Sequence, residues 1–311
     1  MKTKSPHVII FMATFNGSEY IEEQLNSIIQ QSYKNWSLVI SDDNSSDNTI
    51  KIIKKFIKAN PKQKISFING PQKGYCNNFL SMVCNKKFKA DYYAFSDQDD
   101  VWLSNKIEVA INHLNSFQEN KKPLMYCGRT YYVSENLKMI GMSPLFKKRP
   151  SFKNAIVQNI AGGNTMVFNN TLKSILEKIG ITNVVSHDWW VYLIVTGIEG
   201  SVFFDHNSYI LYRQHRESLI GGGNSLKNKI KRFFNLLSGS QQKWNRLNLH
   251  SVNSCKSFLS PNSVNLLEIL EYNKNKNFIY LLMVIKKTGI YRQTFVSNFS
   301  LILSVIIKRF L

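Results

Sequence analysis

The chain has 311 residues, 43% of them apolar, and 40 Lys plus Arg against 20 Asp plus Glu. That length fits one large domain or two ordinary ones, and the apolar share excludes a disordered chain. Four cysteines without paired spacing exclude a disulfide framework or zinc knuckle, and no apolar run reaches the ~20 residues that span a bilayer. The cysteines therefore read as reduced thiols of a cytosolic protein. The excess positive charge is uneven: residues 226–311 hold 14 basic and 2 acidic side chains. Such an asymmetry predicts a polyanionic partner, either anionic lipid head groups or nucleic acid.

In chain order, His7 to Ala13 is a compact apolar run with β-branched residues, a strand rather than a signal peptide, since polar Asn16-Gly17-Ser18-Glu19 follows it. Ile21, Leu25, Ile28 and Ile29 then share a helical face. Trp36 to Ile40 is the next strand, and Ile50, Ile53, Phe56 and Ile57 mark a second helix. Lys64 to Ile68 and Asp91 to Phe95 are a third and fourth strand. Further strands are expected at 124–133, 164–168, 201–205 and 209–212, with a helix between Trp189 and Thr196. Strands alternating with helices predict an α/β fold with an open, mainly parallel sheet covered by helices on both faces.

Gly221-Gly222-Gly223 is the expected hinge to a basic, helical extension over 226–311. There Leu226, Ile230, Phe233, Phe234 and Leu237 form one apolar stripe, and Phe295, Phe299, Ile302, Leu303, Ile306 and Phe310 another. Those stripes either lie on a membrane or pack on the rest of the chain.

In a parallel sheet, ligands bind beyond the carboxyl ends of the strands, and three of those ends are polar here. Asp97-Gln98-Asp99-Asp100 is the sharpest, because carboxylates this close repel unless a cation neutralises them, and Mg2+ or Mn2+ suits oxygen ligands. Asp100 could instead cap the following helix. Asp42-Asp43 has two readings, a nucleobase or ribose acceptor or simple turn chemistry. His187-Asp188-Trp189-Trp190 sets a carboxylate beside two aromatics, which fits either a general base with sugar-stacking rings or a helix cap followed by core tryptophans. In Tyr212-Arg213-Gln214-His215, Arg213 could meet a phosphate and His215 a metal, although a lone histidine is more often structural. Gly162-Gly163-Asn164 is too short for a dinucleotide fingerprint but allows backbone to approach a ligand.

In this order, these residues resemble family 2 glycosyltransferases with a GT-A fold, over about residues 6–216. Val8 to Gly17 and Val39 to Thr49 look like that family's nucleotide-binding half, and Asp97-Gln98-Asp99-Asp100-Val101-Trp102 like its metal motif. The Gln98 version, with His187-Asp188-Trp189-Trp190 and Tyr212-Arg213-Gln214-His215, is similar to the rhamnosyltransferase-like branch of bacterial surface polysaccharide synthesis. The resemblance implies a catalytic domain over 1–220, with a nucleotide half about 1–116 and an acceptor half about 117–220. It further implies nucleotide contacts at Ala13, Thr14, Asn16, Asp43 and Asp97, a divalent Mn2+ or Mg2+ on Asp97, Asp99 and His215, and Asp188 as general base. Gly163, Trp189, Trp190 and Arg213 would touch donor or acceptor. The implied partners are a dTDP- or UDP-sugar and a lipid-linked glycan at the anionic inner face of the membrane, with no nucleic acid. A nucleic-acid-binding protein and a nucleotidyltransferase are the alternatives. The first leaves three acidic clusters unexplained, and the second expects a Gly-rich basic loop that Phe15 to Glu19 does not offer.

Overall fold

The computed structural model describes residues 5–117, 122–214 and 239–310. His215, the Gly221-Gly222-Gly223 hinge and the Leu226 to Leu237 stripe lie outside the described residues.

The first half follows the expected alternation: β1 (Val8–Thr14), α1 (Ile21–Ile29), β2 (Trp36–Asp42), α2 (Thr49–Ala59), β3 (Ile65–Asn69), α3 (Gly74–Val83) and β4 (Tyr92–Ser96). Then come β5 (Val101–Trp102), α4 (Lys106–Ser116), β6 (Leu124–Val133), β7 (Met139–Met142) and α5 (Phe152–Ala155). A short 3-10 turn at Gly163–Thr165 leads into β8 (Val167–Asn169), α6 (Asn170–Ile179), α7 (His187–Gly197) and β9 (Ser201–Arg213). Four more described helices follow, α8 (Ser240–Ser254), α9 (Pro261–Asn273), α10 (Phe278–Thr288) and α11 (Phe295–Ile306).

One sheet runs β3-β2-β1-β4-β8-β6-β9-β5, with β7 paired on β6. β1, β2, β3 and β4 are parallel, β8 is antiparallel to β4 and β6, and β9 runs parallel to β6. All seven residues of β1 are buried, because helices cover both faces of this part of the sheet. Strand alternation sends Ile9, Phe11 and Ala13 into one core and Val8, Ile10 and Met12 into the other.

The chain leaves β1 towards β2 and β3, then returns to place β4 on β1's other side. That reversal opens a crevice at the carboxyl ends of β1 and β4, where open α/β sheets hold their ligands. Because β8 is antiparallel to β4, the start of β8, with Gly163 and Asn164, reaches the same edge. So does the carboxyl end of β9, at Arg213.

Two expectations are corrected. The strand-like runs 201–205 and 209–212 are one strand, since the β6–β9 register shifts between Gly128 and Arg129 and absorbs the polar residues between them as a bulge. The expected strand at 164–168 begins only at Val167, after the 3-10 turn. The described part of 239–310 shares a core with the sheet and its helices: Val252, Leu267, Leu281, Leu301 and Phe310 belong to the same buried cluster as Phe11 and Trp190. Ser260 N donates to Gly197 O at 2.9 Å, and Asn154 Nδ2 to Tyr291 O at 3.0 Å.

Candidate active site

The β1 end and the β2–α2 connection are laced together by side chains. Thr14 Oγ1 donates to Asp42 Oδ2 at 2.7 Å, and the same carboxylate takes the Ser45 amide and hydroxyl, both at 2.7 Å. Asn16, at φ 45°, accepts the Ser46 amide on Oδ1 at 2.9 Å, a left-handed conformation that asparagine tolerates. Asp43 accepts the Gln72 amide at 2.6 Å on one carboxylate oxygen and the Gly74 amide at 2.7 Å on the other. Asp43 thereby shapes the loop that opens α3. The structure brings Ala13, Thr14, Asn16 and Asp43 to one rim, the rim where the sequence resemblance expects a nucleotide.

Across the crevice, the β4 end carries Asp97 and Asp99. Gln24 Nε2 donates to Ser96 Oγ at 2.7 Å and Asp97 O at 3.2 Å, holding the turn from beneath. Burial first, then the carboxylates of Asp99 and Asp188, push the Asp97 carboxyl up to about 8. Asp100 points inward and is fully buried, accepting Asn164 Nδ2 at 2.6 Å. It does not cap the next helix, which starts only at Lys106 behind Asn105. Lys106 is itself buried, its ammonium 3.6 Å from the Trp102 ring centre, and burial lowers it to about 7.

An anionic crowd of this kind fits a divalent cation, because carboxylates that burial and mutual repulsion disfavour gain from a counter-charge. Among the described residues no three His, Cys, Asp or Glu side chains converge as a complete cage. Asp97 and Asp99 alone therefore make no complete cage, and a cation there would need further oxygen ligands.

The opposite wall is the first turn of α7. Asp188 Oδ1 accepts the Trp189 amide at 2.6 Å and the Ser186 hydroxyl, which leaves Oδ2 unbonded among the described residues. Tyr75 and Cys76 of α3 lie near this carboxylate, and burial, with Asp188's charge behind it, pushes the Cys76 thiol up to about 12. His187 is buried between the rings of Phe79, stacked at 4.0 Å, and Phe95, edge-on at 4.8 Å. Its ring rests on Gly163, where an added Cβ would meet Nε2 and lie 3.1 Å from Cε1. Gly163 therefore admits the imidazole, and is buried, rather than baring backbone to a ligand.

Three site expectations are corrected. Trp189 and Trp190 are 5% and 1% exposed core residues, and Trp189 Nε1 donates to Ala155 O at 2.6 Å, so neither offers a face to a sugar. Arg213 is buried too. Its guanidinium donates to Asp99 O at 3.0 Å, bonds Glu135 O and the Glu23 carboxylate, and covers the Tyr20 ring at 4.4 Å. It supports the acidic loop from behind instead of meeting a phosphate. Sequence reasoning passed over Gln24 and all of α3, and took Asn164 only as part of a glycine turn. The parallel step from β3 to β4 required a helix, and Phe79-Leu80 with Met82-Val83 was its signal.

The glycosyl transferase family 2 profile matches residues 9–179, more than half of the chain. The dTDP-rhamnosyl transferase RfbG of Shigella flexneri is 31% identical over 245 residues, 76% of this chain and 81% of that protein. The UDP-Glc:alpha-D-GlcNAc-diphosphoundecaprenol beta-1,3-glucosyltransferase WfgD of Escherichia coli is 27% identical over 189 residues, 60% and 69% of the two chains. Among solved structures, the mannosyltransferase PcManGT of Pyrobaculum calidifontis, in complex with GDP-Man and Mn2+, superposes with a TM-score of 0.52 at 14% identity, covering 99% of this chain and 88% of that one. S. aureus TarS 1–349 in complex with UDP gives 0.54 at 14% identity, over 98% and 89%. At such identities the superpositions speak for the fold, and it is the GT-A fold. These matches lend no support to the nucleic-acid or nucleotidyltransferase readings. With the acidic edge, the sheet order and a family match that covers β1 to β8 and that edge, the chain belongs to glycosyl transferase family 2.

Proposed function

We propose that this glycosyltransferase moves a sugar from a nucleoside diphosphate to a hydroxyl of a lipid-linked glycan, with inversion at the anomeric carbon, in surface polysaccharide assembly. The observation that carries the reading is Asp188 at the start of α7, whose Oδ1 is held by the Trp189 amide and the Ser186 hydroxyl while its Oδ2 keeps no hydrogen bond among the described residues. Asp188 takes the acceptor hydroxyl's proton. The acceptor oxygen bonds to the anomeric carbon as the bond to the diphosphate breaks, and the nucleoside diphosphate leaves as an anion. Ala13, Thr14, Asn16 and Asp43 form the nucleoside rim, and Asp97 and Asp99, with His215 as the resemblance implies, would hold Mn2+ or Mg2+. When bound, that ion neutralises charge gathering on the departing diphosphate. Arg213 and Gln24 keep the 97–99 backbone in place, so the carboxylates need not reorganise during the reaction.

The likeness to RfbG makes dTDP-rhamnose the first donor to try, and the likeness to WfgD puts UDP-glucose second. A lipid-linked acceptor sits in a membrane, and α10 and α11 supply a surface that suits one. Ile279, Met283, Phe295, Val296 and Phe299 are each more than half exposed, with Lys286, Lys287 and Lys308 beside them. No described helix is long and apolar enough to cross a membrane. The contact proposed for α10 and α11 is peripheral, at the inner face.

Calorimetric titration of UDP, dTDP and GDP, each with and without Mn2+, tests the reading. One nucleotide should bind with metal and lose that dependence in Asp99→Ala. Asp188→Asn should bind the same nucleotide normally while transfer falls by about 10²–10⁴-fold. Turnover undiminished in Asp188→Asn would remove Asp188 from its role as base.

A further inference from the structure

Phe15 to Ser18 link the nucleoside rim to α1, and four successive backbone amides in this loop are taken by side chains from elsewhere. Asn16 N donates to Ser45 Oγ at 2.8 Å, Gly17 N to Thr49 Oγ1 at 2.7 Å and Ser18 N to Asp47 Oδ2 at 3.0 Å, the partners lying in the β2–α2 connection and at the first residue of α2. The fourth tie comes from the other side of the crevice. Phe15 N donates to Gln98 Oε1 at 2.8 Å, and Gln98 Nε2 donates back to Phe15 O at 2.9 Å. Gln98 stands between Asp97 and Asp99 in sequence, yet its side chain turns away from them and grips the neighbouring loop.

The chemistry of that grip is specific. A backbone N–H and C=O of one residue are satisfied together by a group that both accepts and donates, which a primary amide does and a carboxylate or ammonium does not. Gln98 also lies flat against Gly17, where an added Cβ would fall 2.7 Å from Nε2 and nearer still to Cδ and Oε1. Gly17 is required by the clamp rather than by its own backbone angles, since it is absent from the positive-φ glycines.

We infer that Gln98 is a positioning residue for the nucleoside: it sits inside the acidic motif but fixes Phe15 and its neighbours at the opposite rim. This rests on the reading that residues 13–17 hold the nucleotide. Without the clamp the loop keeps its three ties to the β2–α2 side and loses its registration against β4. Nucleoside binding then weakens, while the cation held by Asp97 and Asp99 does not.

Gln98→Met keeps the length of the side chain and removes both hydrogen bonds. Its affinity for UDP or dTDP without metal is expected to fall about tenfold, the scale of two lost neutral hydrogen bonds. Uridine or thymidine, which lack the diphosphate, should lose the same factor. Mn2+ bound to the protein alone, followed by electron paramagnetic resonance, should keep its wild-type affinity. Gly17→Ala should reproduce the nucleotide loss by displacing the amide, and the double variant should lose no more than either single one. Wild-type nucleoside affinity in Gln98→Met overturns the inference. So does a parallel loss of Mn2+ affinity, which would place Gln98 in the metal site. A wild-type protein that binds no nucleotide at all would instead bring down the functional reading and this inference with it.

Discussion

His187 is a residue whose burial has a measurable consequence. Neither ring nitrogen has a hydrogen-bond partner among the described residues, and the ring is enclosed by Phe79, Phe95 and Gly163. Burial lowers its pKa to about 4, more strongly than the adjacent Asp188 raises it. The unfolded chain, with an ordinary histidine near 6.5, therefore takes up the proton first. Stability falls as the pH drops from about 6.5 towards 4, and at the low end this residue alone accounts for up to about 3 kcal/mol. His187→Asn, which does not titrate there, should show a shallower loss of urea stability across that window. A slope equal to the wild type's would mean that other groups carry the acid response. At this scale the motifs themselves were legible: Asp97, Asp99 and Asp188 stand in sequence patterns whose charge asks for an explanation. The imidazole's fate was not, because Gly163 and Phe79, which enclose it, come from remote parts of the chain.

α7 makes the same point for an element. Every residue from His187 to Gly197 is buried, so the helix is apolar all round, and its sequence carries no stripe from which to infer an outer face. Trp190 in its middle fills the core that joins the sheet to the C-terminal helices. Trp190→Ala should cost about 3–5 kcal/mol of unfolding free energy in denaturant titration, with nucleotide affinity of the folded fraction unchanged. Selective loss of donor or acceptor affinity at full stability would restore the tryptophan to the binding site. The alternation of β1 through β4 with α1 and α2 was readable because strand and helix periods differ so plainly there. β9 was not, since polar His206, Asn207 and Ser208 part its two apolar runs, and only the β6 register shows His206 and Asn207 taken up between the paired Asp205 and Ser208 as a bulge.

At the scale of the whole molecule, the described C-terminal helices bury one face and leave another bare. Leu301, Val305 and Phe310 pack into the common core, while Phe295, Phe299, Ile302 and Ile306 of the sequence stripe are exposed. Of that stripe Phe310 packs, and the membrane reading rests on the four exposed residues. Phe295→Asp with Phe299→Asp should abolish sedimentation with vesicles containing anionic lipid and leave nucleotide affinity intact. Raised salt should weaken wild-type binding, because lysines near an anionic surface act through screened charge. Undiminished sedimentation of the double variant would move the membrane surface elsewhere on the molecule. By itself, the sequence determined the α/β class, the acidic clusters at the strand ends and the family, since these rest on local period and on residues that lie close together in the chain. The tertiary structure alone decided which members of each motif face the crevice. It left Asp97 and Asp99 partly exposed at the β4 end while withdrawing Trp189, Trp190 and Arg213, because burial is set by what remote segments bring to a residue, and adjacent positions on a strand or helix point in different directions.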